Sequence, residues 1–404
     1  MTKKGIFTIC AKNYLAQAFS LGDSLKQWHP SISFFILLSD EIGDTKIETE
    51  YKIIEAKTLD INGFYEMAFM YDVIEFSTSI KPYFIEKLFK EGYQEVLYID
   101  PDMFVYNTLD ILFDELATYD ALLTPHLVKP YINYTGATSE EEILFVGIYN
   151  LGFFGIRNSE TGNHIIKWWM AKLRNQCFAD KEEALHVDQK WMDFLPSLYH
   201  NNVKIITHPG VNTAFWNLHE RNFFDHNSNF TIDNLPLLIF HFSGFDPEDV
   251  NGMCKKQTKY SLTTYPQYKR LFFEYYEMLK KNNLTTLKKL PYKYDFFENT
   301  VRIIKFQRRL YRTVKQYYKE KSPFTVTTGS YYDLLRNKKM LILGRNAEKL
   351  SSIRKNITNT DKKIAGLKFI LYLIKKIAGI KIYYLLIKFL YNYSRFEKQD
   401  FLIK

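Results

Sequence analysis

Two aspartates on either side of one proline, Asp100-Pro101-Asp102, are the residues whose types and spacing most directly suggest chemistry. Carboxylates this close repel each other unless a cation sits between them. Hard oxygen donors suit Mg2+ or Mn2+, the ions that accompany phosphorylated substrates. Asp-x-Asp is a common tripeptide, and a solvated acidic turn is the plain alternative. The surroundings favour a site. Val96 to Ile99 is apolar and β-prone, and the proline ends a ladder to which it cannot donate. The pair therefore stands at the carboxyl edge of a strand, where open α/β sheets bind ligands. A distant histidine, His241, follows the apolar run Leu237 to Phe240 and could complete a three-ligand metal set with Asp100 and Asp102.

Other polar residues sit at comparable positions. Asn150 opens the strand-like Tyr149 to Arg157, whose two glycines mark close approach of a ligand or another backbone. It could hydrogen-bond a sugar hydroxyl or simply make a turn. Asp188 and Gln189 lie in a polar cluster, His186 to Trp191. The segment His208 to Arg221 is dense in the amide, aromatic and imidazole groups that bind sugars, with Asn212, Trp216, Asn217 and His219 as candidate acceptor contacts. Lys81 stands at a helix start beside Pro82 and could reach a phosphate or lie exposed on the surface.

The elements that position these residues alternate. Residues 5–10 read as a strand, Leu15 to Trp28 as a helix, and Ile32 to Leu38 and Lys52 to Ala56 as further strands, which predicts a parallel sheet with right-handed crossovers. Further along, Phe64 to Phe76, Leu109 to Leu116 and His164 to Cys177 read as helices. Ala121 to His126 and Val203 to Thr207 read as strands, and 127–142 as an irregular insertion. The first turn lacks Gly-x-Gly-x-x-Gly, so a nucleotide would be held near Thr8, Ala11 and Asn13 rather than by a dinucleotide fingerprint.

Composition separates two regions. Residues 251–404 carry 35 Lys and Arg against 10 Asp and Glu, leaving 19 against 35 in the first 250. The acidic part suits catalysis and the basic tail an anionic surface. Cys10, Cys177 and Cys254 show no metal spacing, which suits a reducing compartment. The first apolar run is too short for a signal peptide, so a cytoplasmic location is expected.

Together these residues resemble a GT-A fold glycosyltransferase of the family 8 type and a related bacterial group found in surface-polysaccharide gene sets. The likeness covers about the first 250 residues and rests on Asp100-Pro101-Asp102, Asn150-Leu151-Gly152, Asp188-Gln189 and His241-Phe242-Ser243-Gly244, in that order. It implies a Rossmann-like, mostly parallel mixed sheet with flanking helices. Asp100, Asp102 and His241 would hold Mn2+ or Mg2+ and the diphosphate of a nucleotide sugar, with Asn150 and Gly244 beside the donor. Asp188 would hold sugar hydroxyls and Gln189 lie by the anomeric carbon, which suits a retaining route. An inverting route needs a general base, for which Asp188, Asp193, His219 and Glu220 are open. The family usually follows its late His-x-x-Gly with Lys-Pro-Trp, whose lysine touches the diphosphate. Phe245-Asp246-Pro247 stands here instead, so that contact must come from elsewhere, with Lys81 and Lys255 as candidates.

Domains are expected at 1–265 (catalytic), 266–346 (a basic helical extension, with a helix over Phe297 to Tyr318 and a short strand from Met340 to Leu343) and 347–404. In the last, apolar runs over 364–391 are broken by Lys368, Lys375, Lys376, Lys381 and Lys388, with Gly379 between two segments. None reaches the ~20 residues of a spanning helix. Two amphipathic helices on an anionic membrane surface are expected, against a packing or dimer role. The lysines interleave with Leu and Ile, which argues against nucleic acid. The reading is a metal-dependent glycosyltransferase acting on a glycan or lipid-linked acceptor at the inner membrane face. A carbohydrate-binding protein that lost turnover is the alternative; a nucleotidyltransferase is disfavoured by the missing glycine-rich basic loop.

Overall fold

The computed structural model describes residues 2–227, 229–249, 251–318, 322–342 and 360–403. They form two compact units, residues 1–62 with 73–292, and residues 63–72 with 293–404.

The first unit is built on a seven-stranded sheet. Its strands are β1 (Lys4–Cys10), β2 (Ser33–Leu38), β3 (Lys52–Glu55), β4 (Glu95–Ile99), β6 (Ala121–Pro125), β7 (Tyr149–Arg157) and β10 (Val203–Ile205). Their order is β10-β6-β7-β4-β1-β2-β3. Only β7 runs against its neighbours, β4 and β6; the other pairings are parallel. The class and the mostly parallel mixed sheet are those expected from the sequence. β4 is buried along its whole length, which its Val-Leu-Tyr-Ile run requires of a central strand. Flanking helices include α1 (Leu15–Trp28), α3 (Val73–Ser79), α4 (Lys81–Lys90), α5 (Asp110–Thr118), α6 (Glu140–Val146) and α7 (Glu160–Gln176). Within the expected irregular insertion, Ser139 caps α6 by accepting from the Glu142 N–H at 3.2 Å.

A short antiparallel pair beyond the sheet matters most for the site. β5 (Met103–Val105) follows the Asp-Pro-Asp turn and pairs with β14 (Ile239–His241), placing Met103 opposite His241.

The sequence boundary at 265 is corrected. Helix α9 (Lys269–Lys281) buries Leu271, Phe272, Tyr275 and Leu279 in one apolar core with Leu15, Ala16 and Phe19 of α1. The first unit therefore runs to 292, because α9 and the turn α10 (Leu284–Leu287) pack against the apolar face of α1.

The second unit takes helix α2 (Phe64–Met70) from the front of the chain. Arg308 is 2% exposed and donates to the carbonyls of Ala68, Phe69, Tyr71 and Tyr294, at 2.7–3.2 Å. The helix expected over Phe297 to Tyr318 is shorter, α11 (Lys305–Val314), because the Gln307 side chain caps the Ile304 N–H and Thr300 takes a left-handed φ of 65°. Residues 340–342 are irregular rather than a strand, and Leu343 lies outside the described residues. After α12 (Tyr331–Asn337) comes α13 (Thr360–Tyr393), broken at Gly379 (φ 78°) as the sequence suggested. No helix among the described residues is long and apolar enough to cross a membrane.

Candidate active site

The Asp-Pro-Asp turn is pinned on both sides. The Asp100 N–H donates to Gly152 O on β7 at 2.7 Å, and Met103 N–H closes the turn onto Asp100 O at 3.1 Å. Phe242 N–H donates to Asp102 O at 2.8 Å, locking the β14 end beside it. The sequence-distant ligand set is thereby assembled: His241 Nε2 lies 3.2 Å from Asp102 Oδ1 and 3.9 Å from Asp100 Oδ2. One donor atom from each residue falls within 4.8 Å of the others. Gly152 makes room for this. A Cβ there would stand 2.7 Å from His241 Cε1 and from Met103 Cε.

The two carboxyls are driven apart in acidity. Desolvation pushes Asp100 up, and the neighbouring Asp102 adds to this against the charge of Lys81. Desolvation also opposes ionisation of Asp102, but His241 and Lys256 outweigh it and hold that carboxyl below its ordinary value. Two oxygen donors and one imidazole make a fitting set for Mn2+ or Mg2+.

Two cations meet the site differently from expectation. Lys81 is buried, donating to Asp188 Oδ2 at 2.6 Å and to Leu151 O at 2.9 Å, with its ammonium 3.8 Å from the Tyr98 ring centre. It serves as the counter-ion of Asp188 rather than reaching for a phosphate. Lys255 turns away to Asp246, 3.1 Å distant. The adjacent Lys256 instead donates to Ser243 Oγ at 2.9 Å and is felt electrostatically at Asp102. Gly244, at φ 72°, leaves space that the Lys256 stem occupies, 3.2 Å from where a Cβ would be.

The amides form a continuous network. Asn212 Oδ1 meets His241 Nδ1 at 3.2 Å, while its Nδ2 donates to Thr124 Oγ1 at 2.8 Å and to Asn150 Oδ1 at 3.0 Å. Asn150 Nδ2 donates to His126 Nε2 at 3.3 Å and to Gln189 Oε1 at 3.4 Å. Gln189 Oε1 also accepts from Leu151 N–H at 3.0 Å, and its Nε2 donates to Val146 O at 2.9 Å.

Several sequence assignments change as a result. Asn212 and Asn217 are buried and fully engaged, the latter inside its own loop with Ala214 N–H and Asn212 O, so neither is presented to an acceptor. Trp216 is buried with its ring centre 5.1 Å from that of His241, backing the imidazole rather than lining a groove. His219 remains half-buried, with ring centres 5.2 Å from Tyr131 and 5.0 Å from Tyr134. Thr8 and Ala11 are buried in and after β1, and Asn13 is half-buried.

Three participants were missed. Tyr98 Oη donates to Asp100 Oδ1. Tyr14 is 41% exposed as a residue, but desolvation of its hydroxyl and the charges of Asp102 and Asp100 raise its pKa. Lys256 is the third. Tyr98 alternates off the strand two residues before Asp100, a signal that spacing contained; Tyr14 and Lys256 come from loops, where spacing gives no direction.

No protein-family model matches the chain. Uncharacterized protein YfnF of Bacillus subtilis (strain 168) is 26% identical over 252 residues, covering 60% of this chain and 82% of that protein. YfnD of the same organism is 26% identical over 176 residues, 42% of this chain and 54% of its own length. Among solved structures, the glycosyltransferase GlyE of Streptococcus pneumoniae TIGR4 aligns with a TM-score of 0.40 and 17% identity, over 74% of this chain and 67% of that one. The galactosyltransferase LgtC, in complex with donor and acceptor sugar analogs, gives 0.40 and 15%, over 71% and 97%. Overlap this loose leaves the side chains themselves to say what the site does.

Proposed function

We propose that the chain is a metal-dependent glycosyltransferase that moves a sugar from a nucleotide-diphosphate sugar to a glycan acceptor in surface polysaccharide or glycoconjugate synthesis. One observation carries this reading: Asp100, Asp102 and His241 converge at the carboxyl edge of the sheet, with the charge of Lys256 felt at Asp102. Mn2+ or Mg2+ held there supplies Lewis-acid stabilisation to a leaving diphosphate. Lys256 adds a second positive charge where the diphosphate's negative charge develops. Asp188, neutralised by Lys81, can accept from sugar hydroxyls without leaving a bare charge in a buried place.

The state of the candidate bases favours retention. Asp193 is taken by Lys190 and the Ile148 N–H, Glu220 by the N–H groups of Val128 and Lys129, and Asp188 by Lys81. Each of these three carboxylates is thus committed elsewhere, and His219, half-buried beside Tyr131 and Tyr134, is the one candidate base left. Gln189, locked through both ends of its amide, offers a polar and non-basic wall, as a front-side route requires.

The acceptor is proposed to be lipid-linked and met at the inner face of the plasma membrane. Supporting this, α13 exposes Ile377, Ile380, Tyr384 and Phe389 to solvent at 55–84% and carries lysine as its charged residue from 368 to 388. Exposed apolar surface on this scale marks an interaction face.

The test is donor hydrolysis by the purified protein across nucleotide sugars, with Mn2+, with EDTA, and with Asp102→Ala. Metal-dependent release of nucleoside diphosphate from one donor, abolished by the substitution, is expected. No release from any donor, together with no metal-dependent nucleotide binding, would overturn the enzyme in favour of a sugar-binding protein.

A further inference from the structure

A metal-binding imidazole must present a lone pair, and which nitrogen does so depends on the partner of the other. At His241 that partner is Asn212, at 3.2 Å from Nδ1. An amide can donate or accept there depending on how it is turned, so the rest of its contacts decide. Its other end faces Thr124 Oγ1 and Asn150 Oδ1 at 2.8 and 3.0 Å. Asn150 Oδ1 also receives the Gly152 N–H at 3.1 Å, which fixes it as a carbonyl oxygen. A carbonyl oxygen requires a donor opposite, so the Asn212 NH2 points at Asn150 and the Asn212 carbonyl points at His241. The imidazole must then carry its proton on Nδ1. Nε2, the nitrogen facing Asp102 and Asp100, is then the one a metal can take; without the ion its 3.2 Å contact with Asp102 Oδ1 needs a proton between them.

The backbone supports the same outcome. Asn212 adopts a left-handed φ of 54°, which asparagine tolerates better than most residues. Its loop is tied down by buried Arg221, whose guanidinium donates to Pro209 O at 2.6 Å, Val211 O at 3.0 Å and Thr213 Oγ1 at 2.9 Å. On the far side Asn150 passes the constraint to Gln189, so one chain of amides joins the ligand histidine to the wall of the sugar region.

We propose that Asn212 is the positioning residue of this centre: it sets His241 in the Nδ1–H form with Nε2 free for a metal and, through Asn150, holds Gln189 in register with it. The inference rests on the glycosyltransferase reading only in calling the far end a sugar site; the tautomer follows from the hydrogen bonds alone.

Two measurements on the full chain test it. Nitrogen-15 NMR of the metal-free protein, with the His241 signals identified by their loss in His241→Gln, should show Nδ1 protonated. A bare Nδ1 would overturn the proposal whatever metals do. Titration of free Mn2+, followed by electron paramagnetic resonance, should show affinity falling about 10- to 100-fold in Asn212→Leu. Asn212→Asp keeps an acceptor towards Nδ1 but turns an oxygen on Asn150 Oδ1, so it should retain the Nδ1 proton while loosening the link to Gln189, even if Asn212→Leu fails to fold. Wild-type affinity in a folded Asn212→Leu, or loss of the Nδ1 proton in Asn212→Asp, would refute the positioning role. Absence of Mn2+ binding by the wild type would instead count against the metal-dependent reading, and the NMR result would still decide the tautomer.

Discussion

Lys255 and Lys256 are neighbours in the chain and face opposite ways. Lys255 is largely exposed and its charge is spent on Asp246, whereas Lys256 leans over Ser243 towards Asp102. A charge-assisted contact to phosphate contributes about 1.5–3 kcal/mol, so Lys256→Met should weaken nucleoside diphosphate binding by about 10- to 100-fold. Lys255→Met should change it less than about twofold, and calorimetric titration in the presence of Mn2+ distinguishes the two. The sequence showed that the usual lysine after His-x-x-Gly was missing and that a cation had to arrive from elsewhere. It could not say which, since a loop imposes no periodicity on its side chains. Lys81 was the opposite case. A helix start predicted its place, but not that burial would bind it to Asp188 at 2.6 Å. Removing one member of such a pair strands the other charge, so Lys81→Met should destabilise the fold by about 3–5 kcal/mol in urea unfolding. Lys81→Met with Asp188→Leu should recover much of that loss while abolishing transfer.

Strands β4, β7, β5 and β14 do what no single residue could, bringing His241 against two aspartates about 140 positions earlier. That strand edge was legible in the Val-Leu-Tyr-Ile run, the proline, and the apolar stretch before His241. The register of β5 on β14 was not, because pairing between distant short strands is set by packing that neither strand encodes alone. Gly152 is where the packing is tightest. Gly152→Ala would push a methyl group into His241 and Met103, costing about 1–3 kcal/mol of stability. Mn2+ binding should fall further than stability does, since the displaced ring is a ligand. Nearby, His126 closes the end of β6, donating from Nδ1 to Ile148 O at 3.2 Å and accepting from Asn150 at Nε2. Burial lowers its pKa from 6.5 to about 4. The unfolded chain therefore takes up the proton first, and stability present above pH 6.5 is lost as pH falls towards 4. Between pH 7.5 and 5 this group should cost the fold about 2 kcal/mol. His126→Gln should flatten the pH dependence of the urea midpoint by a corresponding amount.

Across the whole molecule, charge and apolar exposure are distributed unevenly. The basic excess after residue 250 was plain from counting, yet the buried positions of Arg308 and Arg309 in the second unit were not. Those two charges serve the fold; the lysines of α13 from 368 to 388 lie among exposed apolar residues instead. After Gly379, Lys381, Lys388 and Asn392 recur at i, i+7 and i+11 and so share one stripe. Ile380, Tyr384, Ile387 and Tyr391 line another stripe at i, i+4, i+7 and i+11. On the membrane reading proposed above, such a helix would lie in a bilayer interface with its apolar side down and its lysines among anionic headgroups. Each such lysine contributes about 1 kcal/mol, so reversing two by Lys381→Glu and Lys388→Glu removes at least about 2 kcal/mol, roughly a 30-fold loss of affinity. Co-sedimentation with phosphatidylglycerol vesicles should show binding that weakens with added salt, is absent on phosphatidylcholine, and is lost in the double variant. Donor hydrolysis in solution should be unchanged, because the ligand set lies in the other compact unit. Salt-insensitive binding to both kinds of vesicle would mean that apolar contact suffices. No binding to either, with a concentration-dependent dimer in its place, would assign the exposed face of α13 to a second copy of the chain.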